Sequence, residues 1–339
     1  MSVRFFRKGY ETMKKTWQNL TASLLALVIV VSSLSGIRAR AADPVRQVGI
    51  QSTSITVQWT PPKLEEGETL SAYRLYAGKN SDDCHQIRTL SPKTTSYTFQ
   101  NLIPGAMKYV KITYDSSGEQ GTQTDRPVGT LSDAKTIPGA VTGLKQDKWF
   151  YFINEVNVVW NSKTSADGYQ YKLYRSSGKK KADGRIATHN SKIYFRFKKV
   201  SNSEIYTVRV RPYTRFEGKL YYGPWSDPAY LFTQPRIKTA VVPGKGKGKN
   251  KLNLKWKRVS GASGYRIYVS TKPKSGYRVV KTVGKKSGAA TIARFKGKKF
   301  KPRKKYYVYV KTLKRVKKKT LASGRYYYWN TKNARIGYF

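Results

Sequence analysis

The chain has 339 residues, 67 of them Lys or Arg and 18 Asp or Glu, for a formal net charge of +49. With 39% hydrophobic and 13% aromatic residues it is too rich in core-forming side chains to be a disordered polyelectrolyte, and its length allows two or three domains. One cysteine, Cys84, and two histidines exclude an intramolecular disulfide and a structural zinc site, so stability is expected from packing alone.

The charge is unevenly placed: +6 over residues 1–42, −1 over 43–134, +11 over 135–235 and +33 over 236–339. Asp227 is the last acidic residue, which makes the final third purely cationic. In chain order, the first element is a basic stretch (Arg4, Arg7, Lys8, Lys14, Lys15) leading into an apolar run, Leu24 to Val31, and then Ala39-Arg40-Ala41. This is the three-part pattern of a secretory signal, removed after about Ala41. An uncleaved anchor is the alternative, but Leu20–Ile37 contains Thr21, four serines and Gly36, and falls short of the ~20 strongly apolar residues a span needs. Export is expected, with the protein outside the cell or held non-covalently at its surface.

From residue 43 onward the hydrophobic period is two, which places alternate side chains on opposite faces of strands. Strands ending in tryptophan are predicted at Ile55–Trp59, Val156–Trp160 and Leu252–Trp256, about 100 residues apart, a spacing of whole domains and not of a solenoid. Each is followed by a tyrosine-rich strand: Tyr73-Arg74-Leu75-Tyr76, Tyr171-Lys172-Leu173-Tyr174 and Tyr265-Arg266-Ile267-Tyr268. Further on, Val200 precedes Tyr206-x-Val208-x-Val210 by six positions, and Phe300-x-Pro302 stands in the same relation to Tyr306-x-Val308-x-Val310.

These motifs resemble the fibronectin type III module, with its Trp on the second strand, Tyr on the third and Leu-x-Pro-x-x-x-Tyr-x-Val-x-Val signature around the sixth. Ile137 to Leu144 is similar to the opening of such a module, and Gly223-Pro224-Trp225-Ser226 to the entry of its last strand. The resemblance implies an all-β chain of three tandem seven-stranded antiparallel β-sandwiches, immunoglobulin-like and without disulfides. The modules are expected at 42–134, 135–235 and 236–339 after a signal peptide at 1–41. Trp59, Tyr73, Trp160, Tyr171, Tyr206, Trp256, Tyr265 and Tyr306 are the core residues it implies. In the first module Lys108 stands six after Leu102 and Tyr109 comes one residue late, which puts its tyrosine-corner hydrogen bond in question; modules two and three are expected to have it. The connections, near Asp133–Ile137 and Thr233–Ile237, are short and predict a semi-rigid rod. Gly244 to Lys249, alternating Gly and Lys, predicts a mobile cationic hairpin loop.

Catalysis has little to work with. His85 and His189 fall in different modules, Cys84 reads as an incidental thiol, and Glu65, Glu66 and Glu68 read as a solvated acidic loop with no calcium-loop spacing around it. No phosphate-cradling glycine loop or His-Glu-x-x-His segment occurs. The expectation is a non-enzyme with no cofactor and no metal.

The third module carries the candidate ligand-binding surface. If its third and sixth strands pair, Arg266 and Tyr268 lie beside Tyr307, Tyr309 and Lys311 on one outward face, with Arg325 and the aromatics of Gly324–Trp329 on a third strand beside them. The basic runs Lys296–Lys305, including Lys298, Lys299, Lys304 and Lys305, and Lys314–Lys319 are placed in loops flanking the sixth strand. Aromatic rings offer stacking surfaces to sugars and bases, and cations attract phosphate, sulfate or carboxylate. Anionic cell-envelope polymers or acidic glycans are therefore the expected partners, ahead of extracellular nucleic acid. The competing reading is a structural spacer or protein–protein module whose outward lysines only protect strand edges.

Overall fold

A computed structural model describes residues 44–150, 154–187 and 190–339. The expected signal segment and His189 lie outside these residues. Among the described residues no helix is present and the strands form multiple antiparallel sheets, with one isolated parallel bridge between Glu204 and Ser260. Among the described residues no helix is long and apolar enough to cross a membrane. The chain divides into two compact units, one holding, of the described residues, 44–48, 57–97 and 109–132 and the other 49–56, 98–108 and 133–339.

Apart from one two-stranded sheet, Arg294–Phe295 with Lys298–Lys299, the sheets come in pairs, and the fold is a set of tandem β-sandwiches. In the first, Val45–Ile50, Ile55–Trp59 and Ser96–Phe99 form a three-stranded sheet, while His85–Leu90, Thr69–Gly78, Met107–Gly118 and Gly121–Lys135 form a four-stranded one. The second repeats this with Lys192–Phe197, Glu155–Asn161 and Lys145–Phe150 opposite Lys180–Ile186, Gly168–Tyr174, Tyr206–Phe216, Lys219–Tyr222 and Ala229–Leu231. In the third, Ile237–Val241, Leu252–Trp256 and Ala289–Ile292 stand opposite a larger sheet of Arg278–Gly284, Gly264–Ser270, Tyr307–Val316, Lys319–Ala322, Tyr327–Asn330 and Arg335–Tyr338.

Alternation explains the layering. In Leu252–Trp256 the odd residues Asn253 and Lys255 face out while Leu252, Leu254 and Trp256 are buried, so each strand contributes one apolar side to the space between sheets. A tryptophan from one sheet meets a tyrosine from the other edge-on in each sandwich: Trp59 and Tyr73 at 5.4 Å, Trp160 and Tyr169 at 5.6 Å, Trp256 and Tyr265 at 5.5 Å. The tyrosine that fills this role in the second sandwich is thus Tyr169, two residues before the expected Tyr171. Tyr171 is half-buried and packs on Phe195 and Phe197, with ring centroids at 4.5 and 5.3 Å.

The tyrosine corner is present in the second and third sandwiches, where the Tyr206 and Tyr306 hydroxyls accept from the backbone N–H of Ser201 (2.9 Å) and Lys301 (3.1 Å). In the first, where Lys108 replaces that tyrosine, Thr136 pins the corresponding turn. Its hydroxyl accepts from Gly105 N–H at 2.9 Å and donates to the Ile103 carbonyl at 3.1 Å.

The second and third sandwiches share one continuous apolar core, from Val141 to Tyr327. Gln234, fully buried in the connection between them, accepts from the N–H groups of Tyr326 (2.7 Å) and Tyr327 (3.1 Å) and donates to the Tyr327 carbonyl at 2.6 Å. Gln146 repeats the device from the other side, accepting from Phe232 N–H at 2.8 Å and donating to the Phe232 carbonyl and the Tyr326 hydroxyl. Thr312 donates to the Thr233 carbonyl at 2.6 Å. Each of these buried polar groups is paired, which is what makes a polar junction stable away from water.

Candidate anion-binding face of the third module

The register of the third module decides which side chains meet. Gly264–Ser270 runs antiparallel to Tyr307–Val316, so Arg266 lies directly opposite Lys311, Tyr268 opposite Tyr309, and Ser270 opposite Tyr307. All five candidate side chains of these two strands therefore occupy one face. The rings are packed together. Tyr268 stacks on Tyr309 at 4.5 Å with planes 14° apart, Tyr277 lies 4.8 Å from Tyr309, and Tyr307 meets Tyr328 edge-on at 5.4 Å.

Phe339, following the strand Arg335–Tyr338, completes the cover with contacts of 5.5 Å to each of Tyr277, Tyr309 and Tyr328. Tyr309 is consequently only 4% exposed, and burial pushes its hydroxyl pKa up to about 12. The expectation of an open stacking platform is corrected here: Tyr309 is part of a second, small aromatic core and has no free ring face. Of the aromatics in Gly324–Trp329, Tyr326, Tyr327 and Trp329 turn into the junction and the core, leaving Tyr328 on this face.

The cations border this aromatic wall. Lys311 places its ammonium 5.8 Å from the Tyr268 ring centre, and the Arg325 guanidinium sits 4.7 Å over Phe339. Burial, followed by the charges of Arg325 and Arg266, holds the Lys311 pKa below the ordinary lysine value. Like charges placed directly opposite on paired strands repel, and residues 236–339 contain no acidic side chain to offset them.

The matching positions in the other two modules are balanced. Arg74, the counterpart of Arg266, makes a two-point contact with Asp115 at 2.9 and 3.0 Å. Arg211, the counterpart of Lys311, donates to Gln170 at 2.7 Å and lies over Tyr222 and Trp225 at 4.0 and 4.6 Å.

The other predicted cations lie apart from this cluster. Lys298 and Lys299 are exposed on a two-residue strand paired with Arg294–Phe295, and Lys304 and Lys305 are exposed in the turn before Tyr306. Lys314–Lys319 is not a loop: Lys314 and Arg315 continue the strand Tyr307–Val316 and Lys319 opens the next one, because the alternation of Thr312, Lys314 and Val316 runs on to a turn at Lys317. Lys314 donates to the Gly261 carbonyl at 3.1 Å.

The Gly-Lys stretch is a series of turns, with Asn250 N–H bonded to the Pro243 carbonyl at 2.9 Å. A Cβ at Gly244 would lie 3.5 Å from Pro302 Cγ. The exposed Lys245, Lys247 and Lys249 therefore share one end of the module with Lys301, Arg303 and Lys304.

The acidic residues of the first module also differ from expectation. Glu68 is not a free loop carboxylate: it accepts from Ser116 and Arg126, and the Ser116 hydroxyl and the Glu65 N–H hold its pKa below the usual carboxylate value. Cys84 is partly buried, which pushes its thiol pKa up, and His85 is exposed. Among the described residues no group of three or more His, Cys, Asp or Glu could hold a metal ion.

Residues 42–128 match the family model of the fibronectin type III domain. That stretch, the first of the tandem sandwiches, is similar to a fibronectin type III domain. A relative, "Fibronectin type III domain-containing protein 1" of Margaritifera margaritifera, is 32% identical over 92 residues, which are 27% of this chain and 12% of that protein's length. Among solved structures, the FN1–FN3 domains of chicken CNTN1 cover 82% of this chain and 96% of theirs at 15% identity and a TM-score of 0.29. A two-domain type III segment of chicken tenascin covers 56% and 98% at 16% identity and a TM-score of 0.31. Domains of this family are generally binding, adhesion or spacer modules and are typically non-catalytic.

Proposed function

We propose that this chain is a non-catalytic, exported binding protein whose third module attaches it to anionic polymers of a cell envelope or to acidic glycans. The observation that carries this reading is charge without compensation. The third module has 33 cationic and no acidic residues, while its strands, core and tyrosine corner are as complete as those of the other modules. Self-repulsion on this scale destabilises a compact domain, and a bound polyanion offsets it while releasing counterions. The near-neutral first module is then the part left free for other contacts. The packed junction between the second and third modules favours a second reading, in which the modules serve only to hold a spacing.

One experiment separates the two. The full chain is passed over heparin, teichoic-acid and neutral-dextran columns on a salt gradient. The binding reading expects retention on the anionic columns that falls steeply with the logarithm of salt concentration, and none on dextran. Elution from all three at or below physiological salt would leave the spacer.

A further inference from the structure

Within the third module, the geometry points to a discrete oxoanion site formed by Arg266, Lys311 and Arg325, which takes a sulfate- or phosphate-ester group of the polymer. This rests on the polyanion reading and narrows it from a charged surface to a place. Three observations converge on it.

First, the register sets Arg266 directly opposite Lys311, so two cations are held side by side by backbone pairing that neither side chain controls. Second, the site is walled on one side by packed rings. Lys311 lies over Tyr268 and Arg325 over Phe339, and Tyr309 packs between those rings, stacked on Tyr268 and edge-on to Phe339. Such a wall excludes water and strengthens any charge interaction made beside it. Third, the equivalent place is filled by the protein's own acceptor elsewhere: by Asp115 against Arg74, and by the Gln170 carbonyl oxygen against Arg211. In the third module the acceptor has to come from outside, since residues 236–339 supply no carboxylate side chain.

The donor set defines the ligand. Two guanidinium groups present paired N–H donors that match the oxygens of phosphate or sulfate two at a time, and the ammonium adds a third point of charge. A sulfate ester or a phosphate monoester offers three terminal oxygens, one for each cation, whereas a single carboxylate offers two.

The test uses the full chain and small anions, so that it is independent of polymer length. Thermal melts are recorded in sodium chloride at low, constant ionic strength with sulfate, phosphate or acetate substituted at low millimolar concentration. Sulfate or phosphate is expected to raise Tm by about 3 °C or more over chloride and acetate. The more effective of the two identifies the bound group as a sulfate ester or a phosphate monoester.

K311M is expected to melt higher than the parent chain in chloride, because it removes repulsion and keeps the packing, and to lose the anion-dependent rise. R325Q, at an exposed position, is expected to lose the rise with the fold intact. Equal stabilisation by all four anions, or a rise that survives in both variants, would overturn the site. If heparin and teichoic acid retain the parent chain under those outcomes, only the site fails; if they do not, the polyanion reading fails with it.

Discussion

In the first and third modules the same two strands carry a cation at the same place, yet the surroundings differ in kind. Arg74 is held in two contacts by Asp115, whose other neighbour is the N–H of Asp125; Asp125 in turn accepts from Tyr76 and Thr113 at 2.6 Å each. The face of the first module is thus a closed hydrogen-bonded network with its own counter-charges. Arg266 meets Lys311 instead, with Arg325 near and aromatic rings behind. The difference shows that a fold which tolerates many outward side chains can be closed or left open to a ligand by two or three choices of charge at fixed positions.

The comparison is meaningful only if the third module is as firmly built as the first, and Gln234 is where that can be broken most severely. Gln234→Leu removes the side-chain acceptor of the Tyr326 and Tyr327 N–H groups and the donor to the Tyr327 carbonyl, and is expected to cost about 3 kcal/mol in urea denaturation of the full chain. Asp115→Asn makes the first module resemble the third by leaving Arg74 half-buried without its counter-charge. A loss of about 1–2 kcal/mol is expected, together with a new stabilising response to added sulfate.

The pH profile sharpens the contrast with a smaller effect. The lowered Lys311 pKa means that the unfolded chain binds more protons between that value and the ordinary lysine value, so stability rises with pH there. Tyr309 is raised to about 12, so the folded chain holds more protons above the ordinary tyrosine value of 10, and stability falls. Melts across alkaline pH should give a maximum near pH 10. K311M should flatten its rising side. The smallest change restores balance: Thr282, exposed and directly opposite Arg266 on the neighbouring strand, becomes an internal counter-ion in Thr282→Glu. About 0.5 kcal/mol of added stability at low salt is expected, with a weaker response to sulfate.

Much of this fold is legible in the sequence because its information is local. Alternation in Leu252–Trp256 and Tyr307–Val310, the three tryptophan-ended strands, and the spacing of Val200 to Tyr206 and Phe300 to Tyr306 all report directly on which side of a strand is buried. The shift from Tyr171 to Tyr169 marks the limit of that signal. Gly168-Tyr169-Gln170-Tyr171 has two tyrosines in the same phase, and a period of two cannot say which one sits beneath the tryptophan. The pairing of Arg266 with Lys311 follows from strand order, but the covering of Tyr309 does not, since it depends on Tyr277 and Phe339, 32 residues before it and 30 after it in the chain. Arg335–Tyr338, four residues with a glycine among them, carries almost no strand signal. A single glutamine in a short connection, such as Gln234, has none at all.

The central claim is that the third module's bare cations bind an external anion, and the salt dependence of affinity tests it most directly. The slope of log K against log salt for heparin is measured for the full chain and for the R266Q/K311M/R325Q variant. The account predicts a shallower slope in the variant, by about 2 for three lost charge contacts, alongside weaker binding. An unchanged slope and affinity would show that these three residues play no part and would contradict it.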